Sequence, residues 1–311
     1  MMQKLKNLLK KKENRNISVK KLLIGLHEIA TYLLIKYFAY KKWFKTKNDE
    51  FLFKYIYKNG KSKVKIILND FGGYPLYRDK VVCGYITIKC GIGNLFESMA
   101  RFKAGVQFDV ILIINSVSNA ETREKWDLYE ALQKKYLFIE KIMFRDNTGF
   151  DFGAYNMGYQ YLRGIGYKGD VLFMNSSARG PYNDYWLLKY SYLFHRGKNI
   201  GLCGISLNSH TTHLSEAFFK PHVQSFFMYT NMEILMRVFK NCLPGAGITS
   251  SSQLDIISNG EIQFSQKILD NGYGICSKLF EDFVYYKGKR WRVPFGETRM
   301  NKLYSQFANK I

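Results

Sequence analysis

Apolar runs of strand length alternate with segments of helical spacing through the middle of the chain. DVILIIN (109–115) is almost continuously apolar, as a strand covered on both faces requires. Trp126, Tyr129, Leu132 and Tyr136 then recur at helical spacing, which predicts a helix over 121–135. FIEKIMF (138–144) is the next strand. Phe152, Tyr155, Tyr159 and Leu162 mark one face of the helix after it, which ends in the glycine-punctuated turn Gly164–Gly169. DVLFM (170–174) closes the series. Strand, helix, strand, helix, strand is half of a doubly wound sheet. Right-handed crossovers put the three strand ends on one side. Asn115, the loop Arg145–Gly149 and the loop Asn175–Pro181 are therefore expected to converge at the carboxyl edge, where open α/β sheets bind ligands.

The flanks are read with less regularity. KVKIIL (63–68) is a short strand, followed by the turn-like Asn69-Asp70-Phe71-Gly72-Gly73, and VVCGYITI (81–88) is a second one. Gly91 and Gly93 open a helix over Asn94–Lys103. Downstream the pattern predicts a helix over Tyr185–His195 and a strand over Asn199–Ser206. A polar stretch Asn208–Ser215 and the aromatic segment PHVQSFFMYT follow, then helices over 231–241 and 261–271 and a strand over Tyr273–Leu279.

Charge changes this picture at one end only. Of the net charge of +22, the first 64 residues carry +13, from 17 Lys/Arg against 4 Asp/Glu. The expected organisation is a basic, amphipathic helical N-terminal region over 1–60 and one α/β domain over 61–311. Such an appendage fits an anionic membrane face or nucleic acid. No zinc-finger spacing, RRM signature or helix-turn-helix accompanies it, which argues against specific nucleic-acid reading. Residues 22–40 approach the length of a membrane span but hold His27, Glu28 and Lys36. A helix lying in the interface fits better than a spanning one, with a signal-anchor as the alternative. The five cysteines are scattered, without a CxxC pair, as in a reducing cytoplasm.

The candidate chemistry lies in the loops. Asn147-Thr148-Gly149 precedes a helix whose first turn holds Asp151 and Gly153. An Asp there caps the helix or binds a ligand beside the free amides. Asn175-Ser176-Ser177-Ala178-Arg179-Gly180-Pro181 carries more polar groups than a turn needs, and Arg179 suits phosphate oxygens. His210 and His213 have H-x-x-H spacing near His222, but in a Ser/Thr-rich loop rather than on a helix, which argues against a metal site. Glu261 is the candidate general base.

The blocks NTGFDFGAY (147–155), NSSARGP (175–181), PHVQSFF (221–227) and GEIQFSQ (260–266) resemble, in order, those of bacterial polysaccharide glycosyltransferases related to rhamnan synthesis protein F. The resemblance implies a GT-A-like nucleotide-binding fold, with a mostly parallel central sheet flanked by helices. It also implies sugar transfer from a nucleotide-diphospho-sugar donor to a surface polysaccharide or lipid-linked glycan. Carried over, Asn147, Gly149, Asp151 and Gly153 belong to the donor site, with Asn115 beside them. Asn175, Ser176, Ser177, Arg179 and Gly180 stand where many GT-A enzymes hold Mn²⁺ or Mg²⁺ on an Asp-x-Asp motif. His222, Gln224 and Glu261 face donor or acceptor, with Glu261 or Asp151 as the base. The usual carboxylates are missing from 175–177, which leaves metal dependence open. The expected location is cytoplasmic, peripheral on the inner membrane face. The competing reading is a non-catalytic basic protein of similar fold that binds nucleic acid or anionic membrane.

Overall fold

A computed structural model describes residues 63–82, 86–116, 119–210, 219–249 and 252–291. The expected basic region 1–60, the segment 22–40, His213 and the C-terminal tail from 292 lie outside the described residues. Among those described, Asp79–Lys89 form one compact unit, and 63–78 with 90–291 form the other. No described helix is long and apolar enough to cross a membrane.

The larger unit is built on a mixed, mostly parallel sheet. Its strands are β1 (Val64–Phe71), β4 (Phe108–Ser116), β5 (Ile139–Asp146), β6 (Asp170–Asn175), β7 (Ile200–Gly204), β10 (Phe227–Asn231), β11 (Gly274–Ser277) and β12 (Val284–Tyr285). Their order is β12-β11-β7-β10-β6-β1-β4-β5. Strands β1, β4, β5 and β6 are parallel, β10 runs against both β6 and β7, and β11 is parallel to β7. Strand β4 is flanked by β1 and β5, and its run Val110–Ile114 is fully buried, the composition of a strand covered on both faces.

The run read as one strand over 81–88 and the aromatic segment 221–230 are each split in two. Residues 81–88 divide into β2 (Arg78–Val82) and β3 (Ile86–Cys90), a two-stranded sheet. The aromatic segment 221–230 divides into β9 (Phe219–Val223) and β10 at the turn where Phe227 N–H reaches Gln224 O. Strand β9 pairs with β8 (Leu207–His210), so the start of the stretch read as polar loop is strand. Residues 211–218, between them, lie outside the described residues.

The helices follow the predicted faces. Helix α1 (Ile92–Arg101) buries Ile92, Leu95, Phe96 and Met99, the i, i+3, i+4, i+7 stripe of a one-sided helix. Helix α2 (Asn119–Lys135) packs on β4 and β5, and α3 (Phe150–Gly164) on β1 and β4. Helix α4 (Trp186–His195) covers β7, β10 and β11. Helix α5 (Met232–Phe239) is capped by Asn231, whose side chain accepts from Ile234 N–H at 2.9 Å. The helix expected over 261–271 begins earlier. Short α6 (Gln253–Ile256) runs through a π-helical turn, Ile257–Ile262, into α7 (Gln263–Asp270).

Candidate functional site

The strand order reverses between β1 and β6: the first crossovers lead outward to β4 and β5, and the next returns to the far side of β1. Ligands bind open α/β sheets at the carboxyl ends flanking such a point. Here Asn69 of β1 and Asn175 of β6 stand directly opposite in register. Asp151, in the first turn of α3, takes a hydrogen bond from each. Asn69 Nδ2 donates to Oδ1 at 2.7 Å and Asn175 Nδ2 to Oδ2 at 2.6 Å. The capping role considered for Asp151 is therefore not what it performs. Gly149, in the left-handed region at φ 70°, is the N-cap, and no side chain caps the helix. Burial pushes the Asp151 carboxyl above its usual range and the charge of Glu261 adds to this, against the two amides that favour the ionised form. With both oxygens engaged, Asp151 is a clasp across the switch point.

Asn115 ties the next strand end to the same loop. Its amide donates to Asn147 Oδ1 at 3.1 Å and to Phe150 O at 3.0 Å, while its Oδ1 accepts from Arg145 Nη1 at 3.1 Å. Arg145 Nη2 also reaches Thr148 O at 2.5 Å. Gly153 makes room for that guanidinium, because a Cβ there would lie 2.6 Å from Arg145 Nη2 and 2.2 Å from Thr148 O. Gly153→Ala is expected to destabilise the protein by about 1–3 kcal/mol, through overpacking. Thermal denaturation measures this, and an unchanged melting temperature would contradict the packing role.

The loop after β6 is organised from within. Asn175 Oδ1 accepts from Ser177 N–H at 3.1 Å and from the Ser177 hydroxyl. Ser176 N–H reaches Asn69 O at 2.9 Å. Gly180 has φ 101° and precedes a cis peptide to Pro181. Arg179, the residue expected to meet phosphate oxygens, is only 7 % exposed and has a partner within the protein.

Asp70 is a site residue that sequence reasoning missed. Burial raises its carboxyl above the ordinary 3.8, opposed by hydrogen bonds from Ser176 and Tyr129 and by the charge of Arg78. Tyr129 Oη lies 3.2 Å from Asp70 Oδ2. A raised folded value means that the proton favours the folded state. That contribution is complete below about 3.8 and is lost as pH rises through the folded value. Asp70→Asn removes this loss, so its stability advantage over the native protein should grow from about pH 4 upward. Urea denaturation across pH reads the difference, and a gap that is constant with pH would contradict it.

Glu261 sits in the π-helical turn, a feature that often marks functional sites. It is 9 % exposed. Its Oε2 accepts from Ser225 N–H at 2.6 Å, and the carbonyl of the same residue accepts from Tyr155 Oη at 2.9 Å. His222 does not open onto a ligand as expected. It is 2 % exposed, its Nδ1 faces Lys220 O at 2.7 Å, and its Nε2 lies 3.4 Å from Glu261 Oε1. A carbonyl can only accept, so Nδ1 donates to it, and Nε2 packs against Glu261 Oε1. Gln224 is likewise engaged, accepting from Ser206 Oγ at 2.5 Å. The turn at 224–226 reaches the clasp directly, through Asn175 N–H to Phe226 O at 3.4 Å.

Glycines interlock these pieces. Gly149 N–H bonds Ile248 O at 2.7 Å, and a Cβ on Gly149 would meet Ala246 O at 2.4 Å. A Cβ on Gly245 would lie 2.8 Å from Gly260 Cα, and one on Gly260 would strike the Phe152 ring at 2.4 Å. The start of α3, the 245–248 turn and the π turn carrying Glu261 can approach this closely only without side chains.

The four sequence blocks thus meet at one edge. The family described as Rhamnan synthesis protein F matches the chain over residues 110–284. The chain belongs to the rhamnan synthesis protein F family. No curated protein matches it. The match begins within β4 and ends at the start of β12, so it takes in the switch-point loops and Glu261 but not β1, with Asn69 and Asp70.

The donor set at 175–177 does not suit a divalent cation. Asn175 spends its amide on Asp151 and its carbonyl on Ser177, and Ser176 bonds Asp70. Hard cations need several free oxygens, preferably carboxylates. Among the described residues no group of three or more His, Cys, Asp or Glu is arranged to hold a metal ion.

Proposed function

We propose that this member of the rhamnan synthesis protein F family is a glycosyltransferase. It takes a sugar from a nucleotide-diphospho-sugar to a surface polysaccharide or lipid-linked glycan, on a GT-A-like sheet. The observation that carries this reading is the Asn69–Asp151–Asn175 clasp, which unites two loops of the family blocks at the strand-order reversal.

In this reading the donor's diphosphate lies between the Asn147–Gly153 and Asn175–Gly180 loops. Arg179 contributes a positive charge. The clasp holds the start of α3, whose amide end favours an anion. Glu261 is the base. In an inverting transfer its carboxylate takes the proton of the acceptor hydroxyl, that oxygen bonds to the anomeric carbon, and the sugar's bond to the diphosphate breaks. Ser225 N–H holds Glu261 in place, with His222 packed behind it. The basic N-terminal region docks on anionic lipid at the inner membrane face and brings the site to a membrane-tethered acceptor.

A thermal-shift panel of UDP-, GDP-, dTDP- and CMP-sugars, with and without Mn²⁺, tests the reading. At a hundredfold excess over Kd the bound donor stabilises by about 2.7 kcal/mol, a shift of roughly 5–10 °C for a domain of this size. A panel in which no nucleotide-sugar shifts the transition would remove it.

A further inference from the structure

Away from the switch point, a cleft of about 220 Å³ runs between α2 and the outer strand β5. Trp126, Tyr129, Glu130, Gln133, Ile142 and Phe144 are among its walls. Trp126 is 43 % exposed, yet it is not loose. Its ring stacks on Phe144 with centroids 4.6 Å apart and planes at 27°, and its Nε1 donates to Glu130 Oε1 at 2.5 Å. Tyr129 stands edge-on to Phe144 at 6.0 Å and forms the buried floor. An exposed indole fixed in plane by two contacts, beside carboxylates and an amide, is a pre-organised stacking surface.

The geometry points to this cleft as a subsite for one pyranose ring of a glycan chain, namely the acceptor already extended by earlier transfers. This rests on the glycosyltransferase reading. A sugar ring offers an apolar C–H face to an aromatic plane and hydroxyls to carboxylates and amides at its rim, and the cleft supplies both. Its volume is below the ~300–1,000 Å³ of sites for drug-sized ligands, so it suits a single ring rather than a nucleotide. Its position fits as well. Phe144 is three residues from Asn147, roughly 10 Å along an extended chain. The floor residue Tyr129 bonds Asp70 at the switch point. A chain whose growing end lies at Glu261 thus has a route along the outer strand.

The same strand edge is poorly suited to a protein strand. Its register with β4 is broken beside Glu140, and Gln133 Nε2 takes the carbonyls of Ile139 at 3.2 Å and Glu140 at 3.3 Å. Bulges and occupied backbone groups are how sheets block pairing at an edge.

The test is binding and transfer with rhamnose mono-, di- and tetrasaccharides on the full chain, against a glucose tetrasaccharide. Tryptophan fluorescence and calorimetry give affinity, and radiolabelled donor gives transfer. The expected result is that affinity rises with chain length. Trp126→Ala should weaken the tetrasaccharide by about tenfold, leave the monosaccharide unchanged, and spare donor binding, while Trp126→Phe recovers part of the loss. Equal tetrasaccharide affinity in the native and Trp126→Ala proteins would overturn the subsite. If no sugar is transferred but chain-length-dependent binding through Trp126 persists, the cleft stands and the catalytic reading falls.

Discussion

Asp151→Ala is expected to be the most damaging single change at the switch point. It leaves the amides of buried Asn69 and half-buried Asn175 without their acceptor, each at a cost of about 1–3 kcal/mol. Removing a carboxyl that burial disfavours returns part of this, for a net loss of roughly 2–4 kcal/mol. Asp151→Asn should lie between, because its amide group turns one acceptor into a donor facing a donor. Both variants should also weaken donor binding, since the loop from Asn175 loses its anchor to α3. Chemical denaturation with the donor titrations measures the two effects together. A stability within about 0.5 kcal/mol of the native protein would show that the clasp is incidental.

Glu261→Gln separates chemistry from architecture. The glutamine oxygen still accepts from Ser225 N–H, and its NH₂ can donate to His222 Nε2, so both neighbours remain satisfied. Stability should be nearly unchanged while transfer falls by about 10²–10⁴, the usual contribution of a general base. Donor affinity should persist. If the variant transfers sugar at the native rate, Glu261 is structural, and the base must be sought elsewhere along the carboxyl edge.

The central strands were legible because a strand buried on both faces has to be almost wholly apolar, and 109–115 and 170–174 are. The loops converge as expected, through Asn115, Asn147 and Asn175. Strand β1 was legible only as far as Leu68. Asn69 and Asp70 were taken for a turn because Asn-Asp-x-Gly-Gly has turn composition, yet the strand continues to Phe71. The signal was present: β1 carries an Asn close to its carboxyl end, as β4 and β6 do, and Asn69 stands level with Asn175. What the sequence could not convey is which polar groups face each other. His222 stands in a block beside plausible ligand-facing residues, but only coordinates show both ring nitrogens engaged and Glu261 in front of it. The π turn is similarly hidden, because the apolar spacing of 261–271 is that of an ordinary helix. Trp126 was assigned to a helix face correctly, but its partial exposure depends on β5 being the outermost strand.

A crystal structure of the full chain with the nucleoside diphosphate selected by the thermal-shift panel tests the central claim most directly. The account expects the diphosphate in contact with both the 147–153 and 175–180 loops, within one cleft at the carboxyl ends of β1 and β6. Diphosphate density elsewhere on the molecule, with those loops untouched, would contradict it.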